Sequence, residues 1–110
     1  MSLDITVRHG EVSSEIMQLA KDEANGLLNE YKGINSVHVI MDKEKGWNIA
    51  EVIVRGRRGL EASAKTRDGE MKVCLEKAFR KVDVQINKHL ERLRDKHSVM
   101  KRARMRKEQE

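Results

Sequence analysis

Leu3, Ile5 and Val7 alternate with Asp4, Thr6 and Arg8 near the start of the chain, the period of two expected of a strand with one buried face. Beyond His9-Gly10 the period lengthens. Ile16, Leu19, Ala20, Ala24, Leu27, Leu28 and Tyr31 recur at three- and four-residue spacing, and Ser13-Ser14 offers an N-cap. This predicts a helix from about Ser14 to Tyr31, with Gly33 as its C-terminal stop. Gly26, inside the pattern, lowers helix propensity and is expected to mark a close packing contact.

Three strand-like segments follow. Val37, Val39 and Met41 alternate with His38, Ile40 and Asp42; Ala50, Val52 and Val54 with Glu51, Ile53 and Arg55; Leu60, Ala62 and Ala64 with Glu61, Ser63 and Lys65. Lys43 to Trp47 forms the first connecting turn. Gly56-Arg57-Arg58-Gly59 forms the second, its two glycines supplying the positive backbone angles of a tight hairpin. From about Glu70 the helical period returns, with Met71, Leu75, Ala78, Val82, Ile86, His89 and Leu93 on one stripe. No Gly or Pro interrupts the chain after Glu70. The second helix can therefore run for about thirty residues, with its last turns projecting beyond the core or fraying. The order predicts an α+β, two-layer domain, β-α-β-β-β-α, with a four-stranded meander sheet and two helices on one face. Residues 1–95 make up the domain and residues 96–110 a basic C-terminal helix extension or tail.

Composition fits one domain of 110 residues: 38% apolar residues can build a core, and 37% charged residues leave a heavily charged surface. The first residues lack both the basic start and the apolar run of a signal peptide, and no window approaches a membrane span, which points to the cytoplasm. A single cysteine, Cys74, forms no internal disulfide, and without companion cysteines the four histidines are poor evidence for zinc. The net charge of +5 is unevenly spread. Residues 1–50 hold 5 Lys/Arg against 8 Asp/Glu, and residues 51–110 hold 18 against 10. A one-sided positive field favours polyanions, chiefly nucleic acid, over an anionic membrane.

The G-R-R-G stretch fits the loop pattern of KH domains, but that loop joins two helices, and this one lies between strands. A hairpin turn is the better reading, with Arg57 and Arg58 at its tip as phosphate contacts. On a helical wheel Lys77, Lys81, Lys88 and Arg92 fall within about 60° of one another, on the flank away from the core stripe, while Glu76 and Asp83 lie on the other flank. The tail adds Lys101, Arg102 and Arg104 among other cations. A solvated helix face and a solubilising tail are the plain alternatives. Aromatics are few. Tyr31 and Phe79 fit the core, and Trp47 reads as a cap over the sheet edge in preference to a lone stacking contact. No sheet surface carries the stacked aromatic pair of an RRM, so backbone and shape recognition is favoured over base reading. Cys74 lies next to the core stripe without a histidine placed to activate it, and His89 reads as a packed core histidine. These features argue against an enzyme, and no cofactor, metal or small-molecule substrate is called for.

Three blocks, INSVHVIMDKEK (Ile34 to Lys45), GLEASAKT (Gly59 to Thr66) and EMKVCLEKAFRKVDVQINKHLERL (Glu70 to Leu93), resemble the ribosome hibernation-promoting factor and ribosome-associated inhibitor family, also called the protein Y or sigma-54 modulation family. The resemblance spans residues 3 to 95. The family's last helix opens with D-M-Y-A-A-I-D and continues to K-L-x-R-Q-L-x-K; Lys81, Gln85 and Lys88 match, whereas Lys72 replaces the tyrosine and Arg67-Asp68 reads as a two-residue insertion. The resemblance implies a fold similar to a double-stranded-RNA-binding domain with an added first strand. It also implies a translation inhibitor that binds small-subunit rRNA in the channel for mRNA and the A- and P-site tRNAs. Such a factor stores ribosomes inactive during stress or stationary phase, with intact ribosomes and ribosome dimers as further assemblies. Lys81 and Lys88 carry over as rRNA contacts by position; Lys65, Lys77 and Arg92 join them by charge and face. The chain looks like the short type, without the second domain of long members. The runner-up reading is a general double-stranded-RNA-binding module.

Overall fold

All six elements form, in the expected order. A computed structural model describes the backbone of residues 2–109 and the side chains of residues 2–94. The elements are β1 (Ser2–Val7), α1 (Ser14–Glu30), β2 (Ile34–Glu44), β3 (Trp47–Gly56), β4 (Glu61–Asp68) and α2 (Met71–Gln109). The sheet order is β1-β2-β3-β4. Strand β1 pairs with β2 in parallel, because the α1 crossover carries the chain back before β2 starts. The β2–β3 and β3–β4 pairs are antiparallel hairpins.

Register puts the inward residues in three rows across the sheet. They are Leu3–Val37–Val54–Ala62, Ile5–Val39–Val52–Ala64 and Val7–Met41–Ala50–Thr66. Two of the rows run from a large side chain on β1 to alanine on β4 and the third ends in Thr66, so the helix above β4 approaches the sheet closely. That helix is α2, which buries Met71, Cys74, Leu75, Ala78, Phe79, Val82 and Ile86. Burial of each fully covered aliphatic among them contributes about 1.5–3 kcal/mol. Helix α1 covers β1 and β2 with Ala20, Ala24 and Leu27, and with the partly buried Ile16, Leu19 and Leu28. No helix among the described residues is long and apolar enough to cross a membrane.

The ends of α1 follow from local chemistry. Ser13 is the N-cap, its Oγ accepting from the Ile16 amide at 3.2 Å. The helix closes at Tyr31, whose amide donates to the Leu27 carbonyl at 2.9 Å. Tyr31 also ties the two helices together. Its hydroxyl donates to Asp83 Oδ1 at 2.7 Å and lies 3.2 Å from Asn87 Oδ1. Burial and the adjacent Asp83 carboxylate push its pKa up to about 12.

Three glycine expectations need correction. Gly26 marks no close contact: a Cβ there meets nothing within 4 Å, because the residue faces an open groove between α1 and α2. Gly33 lies beyond the helix end and instead accepts, through its carbonyl, the Arg57 amide at 2.8 Å. In the second hairpin the positive φ angles fall on Arg58 (57°) and Gly59 (74°), bracketed by a Leu60 amide to Arg57 carbonyl bond of 3.1 Å. This matches a type I′ turn one step later than expected. Gly56 is needed for a different reason. A Cβ there would run into the Gly33 carbonyl oxygen and come within 2.9 Å of Leu60 Cδ2. The first hairpin is also tighter than expected: Lys45 (φ 51°) and Gly46 (φ 84°) alone link the Glu44–Trp47 pair.

Gly26→Ala is expected to stabilise the protein by roughly 0.5–1 kcal/mol, whereas Gly56→Ala is expected to destabilise it by about 2 kcal/mol or more, both measured by urea unfolding. The Tyr31 hydroxyl binds its proton more tightly in the folded state than in the unfolded chain, where the ordinary phenol value is 10.0. Its contribution is therefore fully present below about pH 10 and lost as pH rises towards about 12. Denaturation followed across that window is expected to show a decline that Tyr31→Phe removes.

Candidate nucleic-acid interface

Helix α2 crosses β4 and β3 with its small-residue contacts downward, which leaves one flank hanging over the free edge of β4. Lys77, Lys81, Lys88 and Arg92 occupy that flank, and all four are exposed. The row spans about 22 Å, the fifteen helical steps from Lys77 to Arg92 at about 1.5 Å each. Gln85 sits among them and fixes the flank to the strand: its Oε1 accepts from the Ser63 amide at 2.9 Å and its Nε2 donates to the Ser63 carbonyl at 2.7 Å. Both bonds satisfy edge groups that β3 leaves unpaired, so Gln85 also blunts the edge strand. Gln85 matches the family pattern in sequence, but its structural part depends on tertiary placement, which sequence alone does not give.

At one end of the row lies the β3–β4 hairpin tip. His89 Nε2 is 3.1 Å from the Arg58 carbonyl, which holds exposed Arg57 and Arg58 against the helix. His89 is thus half-buried and hydrogen-bonded to the tip, and is not the packed core histidine expected from its stripe. The apolar floor behind the tip comes from Leu60, Ile86, Leu90 and Leu93. At the other end Lys77 forms an ion pair with Asp68 at 3.1 Å, and that bond holds the Asp68 carboxyl below the usual carboxylate range. Asp68 Oδ1 also accepts from the Glu70 amide at 3.1 Å and so steadies the entry to α2. Among the described residues, Lys81, Lys88 and Arg92 form no ion pair.

Lys65 departs from its expected position. Ala62, Ala64 and Thr66 point to the helices, so Lys65 and Arg67 project from the opposite, helix-free face of the sheet. Lys65 therefore does not share a face with the α2 row, although both border the β4 edge. Trp47 also lies on the helix-free face, at the start of β3, with the Arg67 guanidinium carbon 5.0 Å from its ring centroid. It rests against the edge strand yet stays 45% exposed. Lys101, Arg102 and Arg104 lie outside the residues whose side chains are described.

The opposite flank of α2 is acidic. Glu23, Glu30, Glu76 and Asp83, with Arg80 as the one basic residue among the lining side chains, border a groove of about 490 Å³ between α1 and α2. The core chemistry is inert by comparison. The Cys74 thiol is buried, donates to the Asn48 carbonyl at 3.0 Å, and is pushed up in pKa by that burial, the reverse of an activated thiolate. No group of three or more His, Cys, Asp or Glu able to hold a metal ion occurs among the described residues.

Residues 3–94 match the model of a family described as Sigma 54 modulation protein / S30EA ribosomal protein. Two solved structures are similar in fold. A ribosomal subunit interface protein from Coxiella burnetii is 18% identical, with a TM-score of 0.69 over 81% of this chain and 97% of that one. The N-terminal domain of Protein Y from Thermus thermophilus is 16% identical, with a TM-score of 0.70 over 81% and 99%. No curated protein matches the chain in sequence.

Removing the two hydrogen bonds with Gln85→Ala is expected to cost about 1–2 kcal/mol in urea unfolding and to raise hydrogen exchange at the Ser63 amide before that of β2 and β3.

Proposed function

The chain belongs to the Sigma 54 modulation protein / S30EA ribosomal protein family, and from that premise we propose that it binds rRNA in the decoding channel of the small ribosomal subunit and holds ribosomes inactive. The observation that carries this reading is the exposed row Lys81, Lys88 and Arg92 on the flank of α2 over the β4 edge, extended by the Arg57-Arg58 tip that His89 holds in place. A row of this kind suits a phosphate backbone, since each neutralised phosphate releases counterions without any base being read. Lys77 contributes less than its neighbours, because Asp68 already neutralises it. Lys65 belongs to a second surface. Lys101, Arg102 and Arg104 add to the positive charge of the chain by sequence.

Inhibition by this route needs no bond-making step. A rigid domain in the mRNA and A/P-site channel excludes tRNA and initiation factors by occupying their space, and its release restores the ribosome. Such a factor acts in the cytoplasm under stress or in stationary phase, with the small subunit as its partner and intact ribosomes and ribosome dimers as further assemblies. The acidic groove between the helices repels rRNA and so favours one orientation in the channel.

The test is sucrose-gradient sedimentation with bacterial ribosomes at two salt concentrations, alongside in vitro translation. Wild-type protein is expected to travel with small subunits and intact ribosomes and to suppress translation. Lys81→Glu combined with Lys88→Glu is expected to stay at the top of the gradient, and the milder Lys81→Gln/Lys88→Gln pair to make the log–log salt dependence of binding shallower by roughly 1.5. Retention of the charge-reversed protein on subunits contradicts the assignment of those lysines. Tight binding to a plain RNA duplex without preference for subunits turns the reading to a general double-stranded-RNA module.

A further inference from the structure

The helix-free face of the sheet carries an arrangement that phosphate binding along α2 leaves unused. The two-residue turn at Lys45-Gly46 fixes Trp47 at the first position of β3, on the face opposite the core. There the indole is 45% exposed, a costly position for the chain's single tryptophan. Arg67, from the edge strand, lies over the ring at 5.0 Å. Lys65 stands one pleat further along β4 on the same face, and Lys45 stands in the turn. Together with Glu44 and Ile49 these residues border a groove of about 420 Å³. Its charged lining is three cations against one carboxylate.

We propose that this groove binds one unpaired nucleobase of an RNA strand, stacked on the indole and guanidinium pair, with the flanking phosphates on Lys45 and Lys65. The chemistry of each part supports that occupant. Every base has a π-face that stacks on an aromatic ring or an arginine plane, and such stacking tolerates any sequence. A cationic rim suits the flanking phosphates, and a plain anion would leave the exposed part of the indole uncovered. Stacking a base covers the ring that is otherwise exposed to water.

Position favours the same ligand. Arg67 precedes Asp68, the residue that Lys77 grips at 3.1 Å, so the groove adjoins the first cation of the α2 row across the end of β4. A strand that follows the row therefore reaches Trp47 by rounding one sheet edge. The inference deepens the ribosomal reading and rests on it for the identity of the RNA; it adds a single-stranded contact on a second face.

Trp47 reports on its own site, because it is the only tryptophan. Its emission, excited beyond the tyrosine band, is titrated with a single-stranded uridine octamer and, separately, with linear inorganic polyphosphate of equal charge. The octamer is expected to quench the emission and polyphosphate to leave it nearly unchanged. Arg67→Gln is expected to weaken octamer binding about tenfold, and Trp47→Ala, followed by anisotropy of labelled octamer, by tenfold or more. Both side chains are exposed, and circular dichroism checks that the variants fold. No quenching by the octamer, or equal quenching by both polymers, overturns the proposal. Sedimentation with small subunits separates the two readings. Wild-type protein that sediments without octamer quenching sinks the groove and leaves the ribosomal reading standing. Quenching without sedimentation supports the groove and sinks the ribosomal reading.

Discussion

The contact between α2 and β4 is the constraint on which the rest of the molecule depends. Ala62, Ala64 and Thr66 end the three inward rows of the sheet with small side chains, and Ala78 and Cys74 meet them from the helix. Thr66 adds a polar lock within this seam, its hydroxyl donating to the Cys74 carbonyl at 2.7 Å. A larger residue at any of these places would lift the helix from the edge strand and break the Gln85 bonds to Ser63, which need the helix at close range. The flank that bears Lys81, Lys88 and Arg92 overhangs the sheet edge only because the helix sits so low and so near that edge. The same placement brings His89 to the hairpin carbonyl. Surface charge and hairpin position are thus both consequences of core side-chain size.

The seam also sets the separation of charge. With its apolar stripe down, α2 has two flanks: one faces α1, the other faces open solvent past β4. Glu76 and Asp83 fall on the first, where Glu23 and Glu30 of α1 add to them, and the cations fall on the second. Tyr31 belongs to this arrangement, since its hydroxyl bonds Asp83 and so offsets part of the cost of crowding carboxylates between two helices. Separated signs give the domain a strong dipole across a short distance. A polyanion is then drawn to one side and held off the other before any contact forms.

The elements were legible because two periodicities, two and 3.6, were strong and each break between them held a Gly. The cation row was legible for the same reason, since a wheel needs only the helix. What stayed hidden depends on where elements meet. Lys65 lies at an alternating position on an edge strand, so its charge could be read while its face could be assigned only by pairing Ala64 with Val52 beneath the helices. Gly56 and Gly26 look alike in sequence. One abuts the Gly33 carbonyl and the other faces an empty groove, a difference made by neighbours 23 residues away and by the spacing of two helices. His89 followed the core stripe by angle, but the stripe leaves the sheet at that turn and meets the hairpin instead. Gln85 carried a signal in its match to the family pattern, although its double bond to Ser63 required the edge strand to be located first.

The junction before α2 shows how strand parity decides where charge falls. Arg67 and Asp68 extend β4 by one pleat. Because side chains alternate with a period of two, Ala62, Ala64 and Thr66 face the helices, Arg67 faces away from them and Asp68 returns to their side. This last pleat pairs Asn48 with Asp68 and Ile49 with Arg67 at the far end of β3. Asp68 then takes two roles at once, accepting the Glu70 amide at the start of α2 and neutralising Lys77. Arg67, by the same parity, turns to the helix-free face and meets Trp47. Strand parity at this end thereby pairs one cation of the helical row with Asp68 and turns Arg67 to the opposite face, without involving any core side chain.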